Sequence, residues 1–272
     1  DLKAKYIAPS LELPWEQDIV ALRRDLHEHP ELGFEEVRTA ALVAERLRTL
    51  GYEVRTGVGV TGVVGVLRGA KPGPTVLVRA DMDALPVHEE NDWEWKSSTP
   101  GKMHACGHDA HTSIGLTVAR LLAAEKDELA GTVKFMFQPA EEGLGGAGKM
   151  IEDGVLDDPR PDCALGLHVW STLELGKVGV SAGPVMASAD RFTARIIGRG
   201  GHAASPDQTV DPIVVAAQTV LALQSIVSRN VSPLQSAVVT VAKIEAGSVF
   251  NIIPNEVELK GTTRAFDDDV RD

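Results

Sequence analysis

The sequence predicts a layered α/β domain with a mixed, largely parallel sheet, followed by a smaller α+β domain. Three observations carry that expectation. Helix-period stripes alternate with β-rich runs through the first part of the chain, a Gly/Ser/Pro-rich stretch interrupts them at 176–188, and the order strand, helix, strand, strand follows. The length of 272 residues, 43% of them hydrophobic and 24% charged, suits one large domain or two modest ones. The expected boundaries are 1–180 and 186–272.

Ile19, Leu22 and Leu26 recur at spacings of three and four, and Val37, Ala41, Ala44 and Leu47 do the same before Gly51. Two helices are therefore expected, separated by Pro30. From Tyr52 the period drops to two, with strands expected at 63–67 and 75–80, the second apolar enough to be buried on both faces. A helix at 112–124, a strand at 132–137, a short helix at 148–152 and a strand at 163–167 complete this domain. Beyond the Gly/Ser/Pro stretch, residues 191–197 alternate. Asp211 and Pro212 then supply an N-cap and a proline at the first helical position, opening a helix to about 228. Strands at 237–244 and 256–265 follow, separated by turn residues at 247–248 and 251–255. This order reads as a ferredoxin-like α+β unit lacking its second helix.

Charge and composition exclude several functions. Acidic residues outnumber basic ones by 39 to 27, and aromatics make up only 4% of the chain, so neither phosphate neutralisation nor base stacking is supplied. Nucleic acid is not an expected partner. The best apolar run, 114–124, is shorter than the roughly 18 residues of a membrane span and is broken by Arg120, so no membrane partner is expected either. Two cysteines are too few for a disulfide framework, and the amino terminus shows no leader pattern. A reducing cytoplasm is the expected compartment.

Two motifs resemble nucleotide-binding loops and fail on context. Gly57, Gly59 and Gly62 fit G-x-G-x-x-G, but a strand pattern follows where a helix must receive the pyrophosphate. The stretch from Gly143 to Lys149 approaches a P-loop, yet Met150 stands where a hydroxyl must hold Mg²⁺, and Glu141 and Glu142 would repel phosphates.

The informative segment is His104-Ala-Cys106-Gly-His108-Asp109-Ala-His111, which packs three of the eight histidines, a cysteine and a carboxylate into eight residues. A thiolate and an imidazole two residues apart, in an irregular loop before a helix, can share one borderline-soft divalent ion. Three other loops supply matching groups, each after an expected strand: Asp81 and Asp83, then Glu141 and Glu142, then His168. An open α/β sheet gathers such loops at one edge, where ligands bind. A hydrolytic metal site needs ligands, room for water and a base that does not itself ligate; adjacent glutamates can divide that work. Asp83 is expected to fix an imidazole tautomer by accepting its N–H.

Six motifs in sequence order carry a resemblance. They are Arg79-Ala-Asp-Met-Asp-Ala-Leu-Pro86, Met103-His-Ala-Cys-Gly-His-Asp-Ala-His111, Phe137-Gln-Pro-Ala-Glu-Glu142, Gly166-Leu-His168, Gly198-Arg-Gly-Gly-His202 and Asn251-Ile-Ile-Pro254. From about Asp18 to Asp272 the chain resembles the aminoacylase/carboxypeptidase family of dinuclear metallohydrolases, in the amidohydrolase branch with hippurate hydrolase and the indoleacetic-acid amino-acid hydrolases. The resemblance implies that Cys106, His108, Glu142 and His168 bind two metal ions and that Glu141 is the general base. It further implies a small domain that acts as a lid and dimerises, with His202 polarising the scissile carbonyl across a homodimer and Asn251 and Arg264 holding the substrate carboxylate. Mn²⁺ or Zn²⁺ is the expected metal, with Co²⁺ or Ni²⁺ also compatible with the branch.

One departure stands out. The family returns to its α/β domain after the lid and contributes a final histidine ligand, whereas this sequence stops inside the lid, so it is expected to be a fragment of a longer enzyme. The expected reaction is hydrolysis of an N-acyl amino acid to a carboxylic acid and a free amino acid. The alternatives are dipeptidase or carboxypeptidase cleavage with the same groups, or, for a chain complete at Asp272, a non-catalytic metal-binding dimer module.

Overall fold

The computed structural model describes residues 16–272; the amino-terminal segment read above for a leader lies outside the described residues. The described residues fall into two compact units that part between Lys177 and Val178. The first runs α1 (Glu16–Glu28), α2 (Val37–Thr49), β1 (Glu53–Val58), β2 (Gly62–Arg68), β3 (Lys71–Asp81), α3 (His108–Ala124), β4 (Ala130–Gln138), α4 (Gly146–Glu152) and β5 (Cys163–Gly166). Its five strands form one mixed sheet in the order β1-β2-β4-β3-β5. An α/β arrangement is thus what the alternating periods produce.

The sheet is evenly mixed rather than largely parallel, which corrects the expectation. β1 pairs with β2 and β2 with β4 antiparallel, while β3 pairs with both β4 and β5 parallel. The reason is local. Gly57 and Gly59 take positive φ of 73° and 66°, close to the mouth of the β1–β2 hairpin, and a tight hairpin can only join antiparallel strands. Only the long crossovers, through α3 and through α4, bring a strand back parallel. The same hairpin explains why the three glycines there are no dinucleotide loop.

Alternation along the strands divides the core in two. Val63 and Leu67 of β2 and Phe135 and Phe137 of β4 face α2 and α3, in a cluster with Val43, Leu47, Leu116 and Ala119. Val64, Val66 and Met136 face the other way, onto Met150 of α4 and Val155. α3 begins at His108, four residues before the expected start, because Gly107 at φ +87° turns the chain directly into the helix. His108 is therefore a helix residue, not a loop residue. Gly115 lets α3 sit close to the sheet: a Cβ there would lie 3.1–3.2 Å from Phe137 and Ala80. This seating fixes His108 against the carboxyl end of β3.

The second unit comprises β6 (Asp190–Ile197), β7 (Gly201–His202), α5 (Pro212–Ser225), β8 (Ala237–Ala246), β9 (Ile252–Ile253), β10 (Glu256–Ala265) and α6 (Asp268–Arg271). β6, β10 and β8 form an antiparallel sheet in that order, and β7 pairs with β9. Asp211 caps α5 by accepting the Ile213 N–H at 2.8 Å, with Pro212 in the first turn. Ala216 and Val220 of α5 pack on Val257, Leu259, Ile196 and Val241. β7, β9 and α6 are not anticipated, since elements of two to four residues carry no measurable period.

α5 continues into a π-helical turn, Ile226–Asn230. The combined helix Pro212–Asn230, 19 residues with mean hydropathy 1.3, is by length and composition alone able to cross a membrane. No uninterrupted apolar run announces this helix, because Gln218 and Gln224 break the run while its mean hydropathy stays high.

Phe135 is fully buried, edge-on to Tyr52 and stacked on Phe137. Phe135→Ala is expected to destabilise the first unit by about 3–5 kcal/mol in urea unfolding; a loss below about 1 kcal/mol would contradict this placement of the core.

Candidate metal centre

β4, β3 and β5 lie side by side and run in the same direction, so their carboxyl ends share one edge of the sheet. Asp81 closes β3, the Glu141-Glu142 turn follows β4, and His168 follows β5. The loop between β3 and α3 brings Cys106 to the same edge, and the first turn of α3 brings His108 and His111. Three overlapping groups there have candidate ligand atoms within 4.8 Å of one another: Cys106, His108 and His168; His108, Glu141 and Glu142; and Asp81, His108 and His111.

Hydrogen bonds decide which imidazoles have a lone pair to give. His108 Nδ1–H donates to the Asp83 carbonyl at 2.8 Å, with Asp83 Oδ1 at 3.2 Å. Its Nε2 is buried without a hydrogen-bond partner, 4.0 Å from Glu142 Oε1. His168 Nδ1–H donates to the Val169 carbonyl at 2.6 Å, which leaves Nε2 as the acceptor facing Cys106 Sγ at 3.4 Å. His111 differs. Its Nε2 already accepts the Val169 N–H at 2.9 Å, so its Nδ1 carries the proton and donates to Asp81 Oδ1 at 2.6 Å. With both nitrogens engaged, His111 braces the edge and has no lone pair free. His104 belongs to none of the three groups; it is buried with neither ring nitrogen partnered, and burial holds its pKa down at about 4.

Asp83 connects the pieces. Besides facing His108 Nδ1, its Oδ2 accepts the Glu142 N–H at 3.0 Å. Burial alone would raise its pKa, but the bonds from His108 and from the backbone of Glu142 and Glu141 win and hold the carboxyl below the usual range. The glutamate pair is asymmetric. Glu141 is the more exposed, and partial desolvation together with the Glu142 charge lifts its carboxyl above the ordinary value. Burial, then the charges of Glu142, Glu141 and Asp81, push the Cys106 thiol up to about 12.

Such a set fits a divalent cation. A buried imidazole lone pair with no donor to meet it, a second one beside a thiol, and carboxylates gathered within ligand reach are the donor set of a borderline-soft ion. An ion would satisfy the orphaned His108 Nε2 and offset the charges that keep Cys106 protonated.

The remaining expected site residues lie in the second unit. His202 Nδ1 accepts the Ala204 N–H at 3.1 Å, so the neutral ring carries its proton on Nε2 as a free donor. The β7–β9 pairing sets His202 opposite Ile252, and the Ala203 N–H donates to the Asn251 carbonyl at 3.1 Å, so His202 and Asn251 are neighbours. Arg264, near the end of β10, donates to the Thr262 hydroxyl and to the Thr263 carbonyl at 2.8 Å. The sequence reading assigned nothing to Glu36 and no distinct task to His111; no period or spacing distinguishes a buried Glu36 from the solvated glutamates beside it.

Residues 77–265 match the model of peptidase family M20/M25/M40. The chain is 48% identical over 255 residues to an N-acyl-L-amino acid amidohydrolase of Geobacillus stearothermophilus, covering 93% of this chain and 68% of the relative. It is 52% identical over 248 residues to IAA-amino acid hydrolase ILR1-like 4 of Arabidopsis thaliana, covering 91% of this chain and 56% of that protein. The crystal structure of the Bacillus subtilis YXEP protein, described as a dinuclear metal-binding peptidase, superposes with a TM-score of 0.78 at 39% identity over 94% of this chain and 66% of its own. The chain thus spans a little more than half to about two thirds of the proteins it matches. By its match to the family model, its identity to relatives and its fold, the chain belongs to peptidase family M20/M25/M40.

Proposed function

We propose that this chain carries the metal centre of an amidohydrolase that cleaves N-acyl amino acids into a carboxylic acid and a free amino acid. The observation that carries the reading is the division of labour at one sheet edge: lone pairs of Cys106, His108 and His168 and the Glu142 carboxylate converge, while Glu141 stands beside them as the more exposed acid of raised pKa. The named relatives, an N-acyl-L-amino acid amidohydrolase and an IAA-amino acid hydrolase, support the substrate class.

Cys106, His108, Glu142 and His168 would hold two divalent cations, with Mn²⁺ or Zn²⁺ preferred and Co²⁺ or Ni²⁺ compatible, a nuclearity supported by the dinuclear relative. Bound there, the ions supply Lewis acidity and lower the pKa of water. Glu141 takes the proton of the attacking water and delivers it to the amide nitrogen as the C–N bond breaks, so one water is consumed and no net proton is released. Asp83 keeps His108 in the tautomer that presents Nε2.

The second unit serves in this proposal as lid and dimerisation domain. His202 of the partner subunit polarises the scissile carbonyl, a role compatible with its protonated Nε2. Asn251 and Arg264 hold the substrate carboxylate. Ile213, Val214 and Leu221 leave α5 with an exposed apolar side suited to such a homodimer. A cytoplasmic setting belongs to the same proposal and rests on two cysteines that are both unpaired.

In the complete protein loaded with Mn²⁺ or Zn²⁺, Glu141→Gln is expected to lower kcat on N-acyl amino acids by about 10²–10⁴-fold at unchanged metal content. Turnover within about threefold of wild type would refute the assignment of the base. Cys106→Ala is expected to weaken cation binding in equilibrium dialysis by at least about 10–100-fold, the loss already typical of a residue that only supports a ligand, while Cys163→Ser, at an exposed residue, leaves it unchanged. Equal affinities for the two variants would remove Cys106 from the ligand set.

A further inference from the structure

We propose that Glu36 is a positioning residue for the Glu141-Glu142 turn, acting through the backbone of Ala140; the proposal rests on the reading of Glu141 as the base. Glu36 stands at the N-cap position of α2, yet its side chain makes no cap. That task falls to Glu31, whose carboxylate accepts the Arg38 N–H at 2.9 Å and the Thr39 N–H at 2.8 Å. Glu36 turns inward instead and is fully buried. Its Oε1 accepts the Ala140 N–H at 2.8 Å, and its Oε2 accepts the Thr61 hydroxyl at 2.5 Å.

A carboxylate in that position is costly. It is met by neutral donors; burial raises its pKa, and the nearby Asp83 charge adds to the rise. The helix it begins does not need it, so what it holds in place is the informative part. Ala140 has a φ of +49°, a left-handed conformation that is unfavourable for an alanine and persists only where its surroundings enforce it.

That kink redirects the chain as it leaves β4, so that Glu141 and Glu142 follow at once. The Ala140 carbonyl accepts the Gly146 N–H at 3.1 Å, and Gly33 leaves room for Ala140, since a Cβ there would lie 3.0 Å from its Cα and Cβ. The two glutamates are therefore flanked by two amides bound to carboxylates, Ala140 on Glu36 and Glu142 on Asp83. Without the first anchor the strained residue relaxes and carries Glu141 with it. A displacement near 1 Å at a proton-transferring group costs about 10²-fold in rate.

The test uses Glu36→Gln and Glu36→Asp in the metal-loaded complete protein. Glutamine can still accept from Ala140 while its amide group donates to Thr61, whereas aspartate is one methylene too short to reach. Hydrogen–deuterium exchange is followed on the peptide containing Ala140, with kcat, KM and metal content measured on the same samples. Glu36→Gln is expected to keep wild-type protection and to stay within about threefold in kcat. Glu36→Asp is expected to exchange at least about tenfold faster at Ala140 and to lose about 30–100-fold in kcat with KM within about twofold, at full metal content. A purely structural role would lower the melting temperature while leaving kcat per metal-loaded site and exchange at Ala140 unchanged, and that result overturns the proposal. The two readings fail separately: turnover retained in Glu141→Gln removes the base assignment, whereas wild-type protection of Ala140 in Glu36→Asp removes the role of Glu36.

Discussion

The candidate site depends on one residue with two obligations. Asp83 accepts the His108 Nδ1–H on its main-chain carbonyl, with its Oδ1 also in reach, and the Glu142 backbone N–H on its Oδ2, and so ties the start of α3 to the turn after β4. Either bond alone would orient one residue. Together they set the separation between a prospective metal ligand on a helix and the glutamate pair on a turn. The parallel pairing of β3 with β4 makes this reach possible, because both strands then end at the same edge.

The second constraint is electrostatic. Asp81, Asp83, Glu141, Glu142 and Cys106 crowd one edge; burial first, and then the neighbouring carboxylate charges, keep the Cys106 thiol protonated and raise the Glu141 carboxyl above its ordinary value. Arg79, 2.7 Å from Asp81, offsets part of that charge. A divalent cation offsets more, and the orphaned His108 Nε2 points to where it would sit. The buried His111, with both nitrogens committed to Asp81 and Val169, belongs to the frame rather than to the ligand set.

Much of this was legible in the sequence, for physical reasons that can be named. The β-branched run at 63–67 and the Thr, Val, Phe and Met run at 132–137 identify strands, and the Asp211-Pro212 pair marks a helix start through cap chemistry that needs no tertiary context. Cys106 and His108 were visible in the density of ligand types at 104–111, and Asp83, Glu141, Glu142 and His168 because each follows a strand. What escaped depends on contacts far apart in sequence. The direction of β2 against β4 is set by a hairpin and a crossover, not by composition. The early start of α3 hangs on one glycine at φ +87°. Glu36 reads as one more acid in a solvated stretch, and only its 104-residue reach to Ala140 reveals that it is buried.

The central claim is that Cys106, His108 and His168 present lone pairs to a shared divalent ion while His111 does not. Anomalous diffraction from crystals of the complete protein grown with Mn²⁺ tests it directly. The account predicts a peak about 2.0–2.3 Å from His108 Nε2, with Cys106 Sγ or His168 Nε2 in the same coordination sphere. A peak ligated by His111, or no peak at this sheet edge, would contradict it.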